Sequence, residues 1–189
     1  MGPFEYLLLF AAIILGLAVT DLAVSLHRLL SAGKRVRWDW LAPLAAIVAL
    51  LKIVTQWWTW FAAEGLAHGL TFEMFILVLI TAVLLFLMAA AALPDDFGDK
   101  PVDLREHYST VSRRFWLMFL GHWILGAAVS IWAQVSIAGA HLKLLSPAWL
   151  VVPVVLSLVI FRARWWHGMA LIGFIGLYVW QYFGHVLSR

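Results

Sequence analysis

Cysteine is absent from the 189 residues, which excludes disulfides, thiolate catalysis, iron–sulfur ligation and thiol–disulfide exchange. Charge is scarce: 12% of residues are Asp, Glu, Lys or Arg, about half of what a soluble domain carries (~25%). The net charge of +3 gathers into no basic block, so nucleic acid is not an expected partner. The opening Met1-Gly-Pro-Phe-Glu5 has no Lys or Arg and leads to no small-residue cleavage site, so the first apolar run is expected to stay as an anchor. Gly2 lacks the downstream Ser or Thr that myristoylation needs.

What is present is apolar sequence, 65% of the chain, with twelve Trp. A soluble fold of this size could not hide so much apolar surface, so the lipid bilayer is the expected environment. Windows long enough to cross it fall at about 5–27, 40–62, 72–93, 115–137, 147–162 and 167–187. The fold class expected is therefore all-α, an integral membrane bundle of six transmembrane helices. The fifth window is the shortest and carries Pro153 and Ser157, which predicts a tilted, kinked or partly broken helix.

Ten Lys and Arg fall in the connections 1–2, 3–4 and 5–6, against only Lys143 and Arg189 on the other side. The positive-inside rule then puts both termini outside and the central connection in the cytoplasm. Trp38, Trp40, Trp116, Trp165 and Trp166 sort to the cytoplasmic ends, and Trp57, Trp58, Trp60, Trp149 and Trp180 to the outer ends. Two such belts are what indole's preference for the interface produces.

Leu93 to Trp116 holds nine of the 23 charged residues and divides the chain into a first half (1–93), a linker (94–114) and a second half (115–189). Pro94, Gly98 and Pro101 keep its acidic part, with Asp95 and Asp96, irregular. Asp103-Leu-Arg-Glu106 has the form of a capping box opening an interfacial helix. Leu104, Tyr108, Val111 and Phe115 line one face of that helix, and Arg113 and Arg114 reach headgroup depth. Asp95-Asp-Phe-Gly-Asp99 matches the DDxxD pattern of prenyl-transferring enzymes, but Pro94 and Gly98 break the helix it needs and no second acidic motif follows. The Asp-rich signature of CDP-alcohol phosphatidyltransferases is absent. The acidic run reads instead as a solvated loop pairing with Arg35, Arg37, Arg162 or Arg164.

Ile14–Thr20 and Ile124–Ser130 resemble each other, as do Arg28–Ser31 with Lys143–Ser146 and Trp40–Pro43 with Trp149–Pro153. Units of three helices in opposite orientations would make a 3+3 inverted repeat, although shared apolar composition gives similar matches without duplication. Ala12, Gly16 and Thr20, like Gly126 and Ser130, form small stripes that predict close packing of helices 1 and 4.

Polar groups at membrane depth are functional candidates by default. Asp21, Lys52, Gln56 and His122 form the expected intramembrane polar site, with Asp21 pairing Lys52 or His122. The competing reading is an Asp21–Lys52 pair that only fastens helices 1 and 2, with His122 bonded to a carbonyl. His68, His141 and His185, with Glu64 and Glu73, fit no metal-ligand rhythm, and only His122 lies where haem could use it. No metal and no cofactor are expected.

Trp57-Trp58, Leu93-Pro-Asp95 and Asp103-Leu-Arg…Tyr108…Arg113-Arg-Phe-Trp116 together resemble a family of uncharacterised bacterial multi-pass membrane proteins. The likeness covers helices 1 to 4 and the central connection, and it implies no activity. From the residues, the leading expectation is a transporter or channel-like protein for a small solute or ion, acting as a single chain or a homodimer, with its polar site between helices 1, 2 and 4. The alternative is a non-catalytic membrane subunit docking a protein partner through Asp95, Asp96, Asp103, Arg113 and Arg114. A lipid-modifying enzyme ranks third.

Overall fold

A computed structural model describes residues 3–62, 72–95, 101–138 and 150–186. The protein is all-α. Six α-helices occur among the described residues: α1 (Pro3–Ala32), α2 (Leu41–Ala62), α3 (Phe72–Ala92), α4 (Leu104–Ala138), α5 (Val151–Ile160) and α6 (Arg164–Val186). Three stretches, Glu5–Arg35, Leu41–Phe61 and Phe75–Ala92, are long and apolar enough to cross a membrane.

The inner face of α1 shows how sequence spacing builds the bundle. Ala11, Leu15, Ala18, Leu22, Ser25, Leu29 and Ala32 are all buried, at alternating steps of mostly three and four that keep one stripe inward. Its other face is equally apolar but exposed, with Leu9, Ile13 and Leu17 each more than half accessible. A helix apolar all round suits a lipid environment rather than water.

α1 packs on α3 and more lightly on α2, α3 packs on α4, and α4 packs on α5. α2 is the hub, touching α1, α3, α4 and α6. α3 stands between α1 and α4, so the expected close packing of helices 1 and 4 is not what assembles the bundle. Ala12 is only partly buried, and Gly16 and Thr20 are exposed. A side chain at either Gly16 or Gly126 would meet open space. The side-chain surroundings of Ser130 lie outside the described residues. The halves also pack differently: α1 lies along α3, whereas α4 and α6 meet chiefly through large side chains.

One end of the bundle gathers the connections 1–2, 3–4 and 5–6, and with them most of the arginines; we call it the basic end. Gly33 takes φ +54° there, a left-handed conformation that releases the chain from α1 at little cost only for glycine. A short 3₁₀ turn (Gly33–Arg35) leads into β1 (Val36–Arg37), which pairs in parallel with β2 (Val102–Asp103), in register Val36 with Val102 and Arg37 with Asp103. This two-residue ladder ties the 1–2 connection to the 3–4 connection, and nothing in the apolar periodicity announces it.

Asp103 caps α4 as expected, its Oδ1 accepting the backbone N–H of Arg105 at 2.9 Å and of Glu106 at 3.3 Å. The helix it opens is not a separate interfacial piece but the first turns of the 35-residue α4. Leu104, Tyr108 and Phe115 are buried and Arg105, Arg113 and Arg114 exposed, as the spacing predicts. Trp116 departs from its place in the interfacial belt: it is fully buried. In the described part of α5, Pro153 sits in the first turn, where its missing N–H costs nothing. The start of the fifth window, and Asp96, lie outside the described residues.

Asp39 joins α2 to α6. Its Oδ1 accepts the Leu41 N–H at 3.1 Å at the start of α2, and its Oδ2 accepts a hydrogen bond from the Arg164 guanidinium at the start of α6. Close by, Trp40 lies so tightly over Gly168 that a Cβ there would sit 2.1 Å from the indole ring. Replacing Asp39 by Ala removes a cap and a charge-assisted bond together, and is expected to lower stability by about 1–3 kcal/mol. Asp39→Asn, which can still cap, should lose less. Equilibrium unfolding in detergent checks the order.

Candidate functional site

Lys52 of α2 lies largely buried in mid-bundle, its Nζ 6.0 Å from the centre of the Tyr178 ring of α6. At that distance the ring's negative face attracts the ammonium, a modest compensation for lost water. His122 of α4 is buried almost completely. It lies in the electrostatic field of Lys52 and faces the backbone carbonyl of Thr81 on α3. Its Nδ1 has no hydrogen-bond partner. Three helices, α2, α4 and α6, thus bring an amine, an imidazole and a phenol into one apolar interior, and α3 adds a backbone carbonyl. Lys52 has no carboxylate partner among the described residues.

Gln56 lies one turn beyond Lys52 on α2 and is partly buried. Beside it Thr59 donates to the Thr55 carbonyl at 2.8 Å and lies 3.4 Å from the Tyr182 hydroxyl. A polar track therefore leads from Lys52 toward the end opposite the basic one. Tyr178 and Tyr182 are members of this track that sequence reading missed. Their spacing of four on α6, matching Lys52 and Gln56 on α2, is the signal that could have found them.

Asp21 is not part of this site. The charges acting on it are Asp95 and Arg28, at the basic end, and its expected pairing with Lys52 or His122 is not formed. The reason lies in the packing, since α1 presents its inner stripe to α3 rather than to α4. Asp95, at the end of α3, is fastened to α1 by the Ser25 hydroxyl, which donates to its Oδ1 at 2.5 Å, and by Arg28, which donates to its backbone carbonyl at 2.5 Å. Asp21 Oδ2 is buried there without a partner, as is Nε2 of His107 from α4. Burial holds the His107 imidazole below its ordinary range, against the opposing influence of the Ala91 and Ala92 carbonyls and Asp95.

Two of the four arginines expected to meet the acidic run pair elsewhere, and Asp96 and Asp99 of that run lie outside the described residues. Arg37 pairs with Asp103 at 3.3 Å and Arg164 with Asp39. No cluster of three metal-ligating side chains occurs among the described residues. His68, His141 and Glu64 lie outside them.

A second network sits under the basic end. His167, near the start of α6, receives the Trp116 indole N–H on Nδ1 at 3.2 Å, and the Tyr108 hydroxyl lies 2.9 Å from the same nitrogen. Indole nitrogen can only donate, so Nδ1 is unprotonated and the proton resides on Nε2. Nε2 then donates to the Phe161 carbonyl, 3.0 Å away, and Tyr108 donates to Nδ1. Burial pushes the Tyr108 hydroxyl up to about 12, which keeps it a donor. The imidazole is thereby used up by α4 and the α5–α6 turn. Its role is to hold that turn, together with the Trp166 indole N–H on the Ser157 hydroxyl at 2.8 Å.

Tyr108→Phe should cost about 1 kcal/mol, since Trp116 still satisfies Nδ1, whereas His167→Phe strands two buried donors and should cost roughly 2–4 kcal/mol; unfolding in detergent separates the two. For His107 the folded state resists protonation more than the unfolded one. Its contribution is therefore present above the unfolded imidazole value of about 6.5 and is lost as pH falls below it. His107→Gln should flatten the fall in unfolding midpoint between pH 6.5 and 5.

No protein-family model, no curated protein and no solved structure matches the chain, so the chemistry of these groups rests on their own geometry.

Proposed function

We propose that the protein is a multi-pass membrane transporter or channel-like protein for a small anion or a carboxylate-bearing solute, with Lys52, His122 and Tyr178 as its binding site. In this reading all six helices cross the bilayer. The basic end lies in the cytoplasm of a bacterial inner membrane, and both termini lie on the other side. One observation carries the functional reading: Lys52 lies mid-bundle, largely but not wholly buried, with no carboxylate partner among the described residues.

An ammonium at that depth costs about 3 kcal/mol even on the mildest insertion scales. A lysine kept only for packing would be relieved by an acidic partner. Here its neighbours are an imidazole and an aromatic ring, neither of which neutralises it. A negatively charged solute would supply the missing charge. The unpartnered His122 Nδ1 can hydrogen-bond that solute or exchange a proton with it. The polar track of Thr55, Gln56, Thr59 and Tyr182 offers a route toward one end, and the basic end would draw anions toward the other.

In proteoliposomes, flux of chloride, nitrate and short-chain carboxylates should be tested with the wild type, Lys52→Met, Lys52→Arg and His122→Leu. Flux of at least one of these is expected to fall at least about tenfold in Lys52→Met, as loss of a charge-assisted contact requires, and to survive in part in Lys52→Arg. Equal flux in wild type and Lys52→Met would refute the site.

A further inference from the structure

The basic end carries a cleft of about 760 Å³ between the first turns of α4 and the α5–α6 turn. Its walls include Arg105, Glu106, Ser109 and Thr110 from α4, and Arg162 and Arg164 from the turn. It is separate from the mid-bundle site and does not depend on the transport reading. We propose that this cleft binds a phosphoester, its phosphate held by Arg105 and Arg162 and its other end, an amine or a hydroxyl, by Glu106.

Three other arginines of the basic end, Arg164 of the cleft wall among them, are engaged. Arg37 is taken by Asp103, Arg164 by Asp39 and Arg28 by the Asp95 carbonyl. Arg105 and Arg162 are exposed and have no carboxylate partner among the described residues. Both line the cleft, one from α4 and one from the turn. Two guanidinium groups converging on one space offer parallel N–H donors matched to phosphate oxygens.

The hydroxyls give the cleft a second polarity. Ser109 and Thr110 both donate to the Glu106 carbonyl, at 2.8 and 3.0 Å. What they show a ligand is therefore lone pairs, as does the Glu106 carboxylate. A cleft that offers cations at one part and acceptors at another suits a phosphate linked to a donor-bearing group better than a bare anion. Its volume suits a headgroup-sized molecule.

The turn that carries Arg162 is also held before any ligand arrives. His167 Nε2 donates to the Phe161 carbonyl, and Trp166 donates to Ser157. Next to Arg164, Trp165 is two-thirds exposed, as indole is where a protein meets lipid headgroups. The same phosphoester chemistry is present in a phospholipid headgroup and in a soluble glycerol phosphate, and these are the two sources to distinguish.

The test uses the full chain in detergent, titrated separately with short-chain phosphatidylethanolamine, short-chain phosphatidylglycerol and glycerol 3-phosphate, with binding read by thermal shift. Saturable stabilisation by a phospholipid but not by glycerol 3-phosphate identifies a lipid site; equal stabilisation by glycerol 3-phosphate identifies a soluble ligand. Either supports the proposal if Arg105→Gln/Arg162→Gln weakens it at least about tenfold, while Arg113→Gln/Arg114→Gln leaves it unchanged. Ser109→Trp, which fills the cleft and keeps every charge, should abolish it. Unchanged affinity in Arg105→Gln/Arg162→Gln, equal weakening in the Arg113/Arg114 variant, or no stabilisation by any of the three compounds would overturn the proposal.

Discussion

A lysine ammonium held inside an apolar helix bundle, with an imidazole beside it in place of a carboxylate, is the constraint that the rest of this structure answers to. Water is replaced there by the face of Tyr178 and the neighbourhood of His122, and neither restores what the charge loses. Such a group persists when something outside the described chain completes it, or when its proton is part of the work. Its position on α2 is also the most connected one available, because α2 touches α1, α3, α4 and α6. Movement of any of these helices would change the space around Lys52.

The basic end does the opposite job. Three of its arginines are tied down: Arg37 by Asp103, Arg164 by Asp39, and Arg28 by the Asp95 carbonyl. Each bond joins different connections, so the ends of all six helices are fixed relative to one another. An exposed pair such as Arg37–Asp103 contributes little energy by itself. The value of these bonds is geometric, and it is backed by the β1–β2 ladder and by the buried His167 with its donors.

The helices were legible because long apolar runs and Lys/Arg-rich connections leave few alternatives; α1, α2 and α3 fall close to their expected windows. The cap at Asp103 was legible for a local reason, since its acceptor and the N–H groups it serves lie within three residues. Pairings between distant segments were not. Asp39 and Arg164 are 125 positions apart, and neither residue type nor spacing favoured that pair over others. Depth along a helix is readable from position, as for Lys52 midway along α2. Direction around a helix is not readable when every face is apolar, so Asp21 could not be assigned to Asp95 and Arg28. The same ambiguity misdirected the Ala12–Gly16–Thr20 stripe, whose exposed face is as apolar as the buried one. Trp116 was assigned to the interface by its position, but its indole N–H finds His167 in the interior instead.

Lysine occurs at only four positions, Lys34, Lys52, Lys100 and Lys143, which makes the central group directly observable. With ¹⁵N-lysine labelling, the Nζ resonance missing from Lys52→Met identifies Lys52, and its shift can be followed as a transported anion is titrated. A saturable change confined to Lys52, at concentrations that saturate flux, is the expected result. A Lys52 resonance that stays fixed while flux saturates would contradict its place in the binding site.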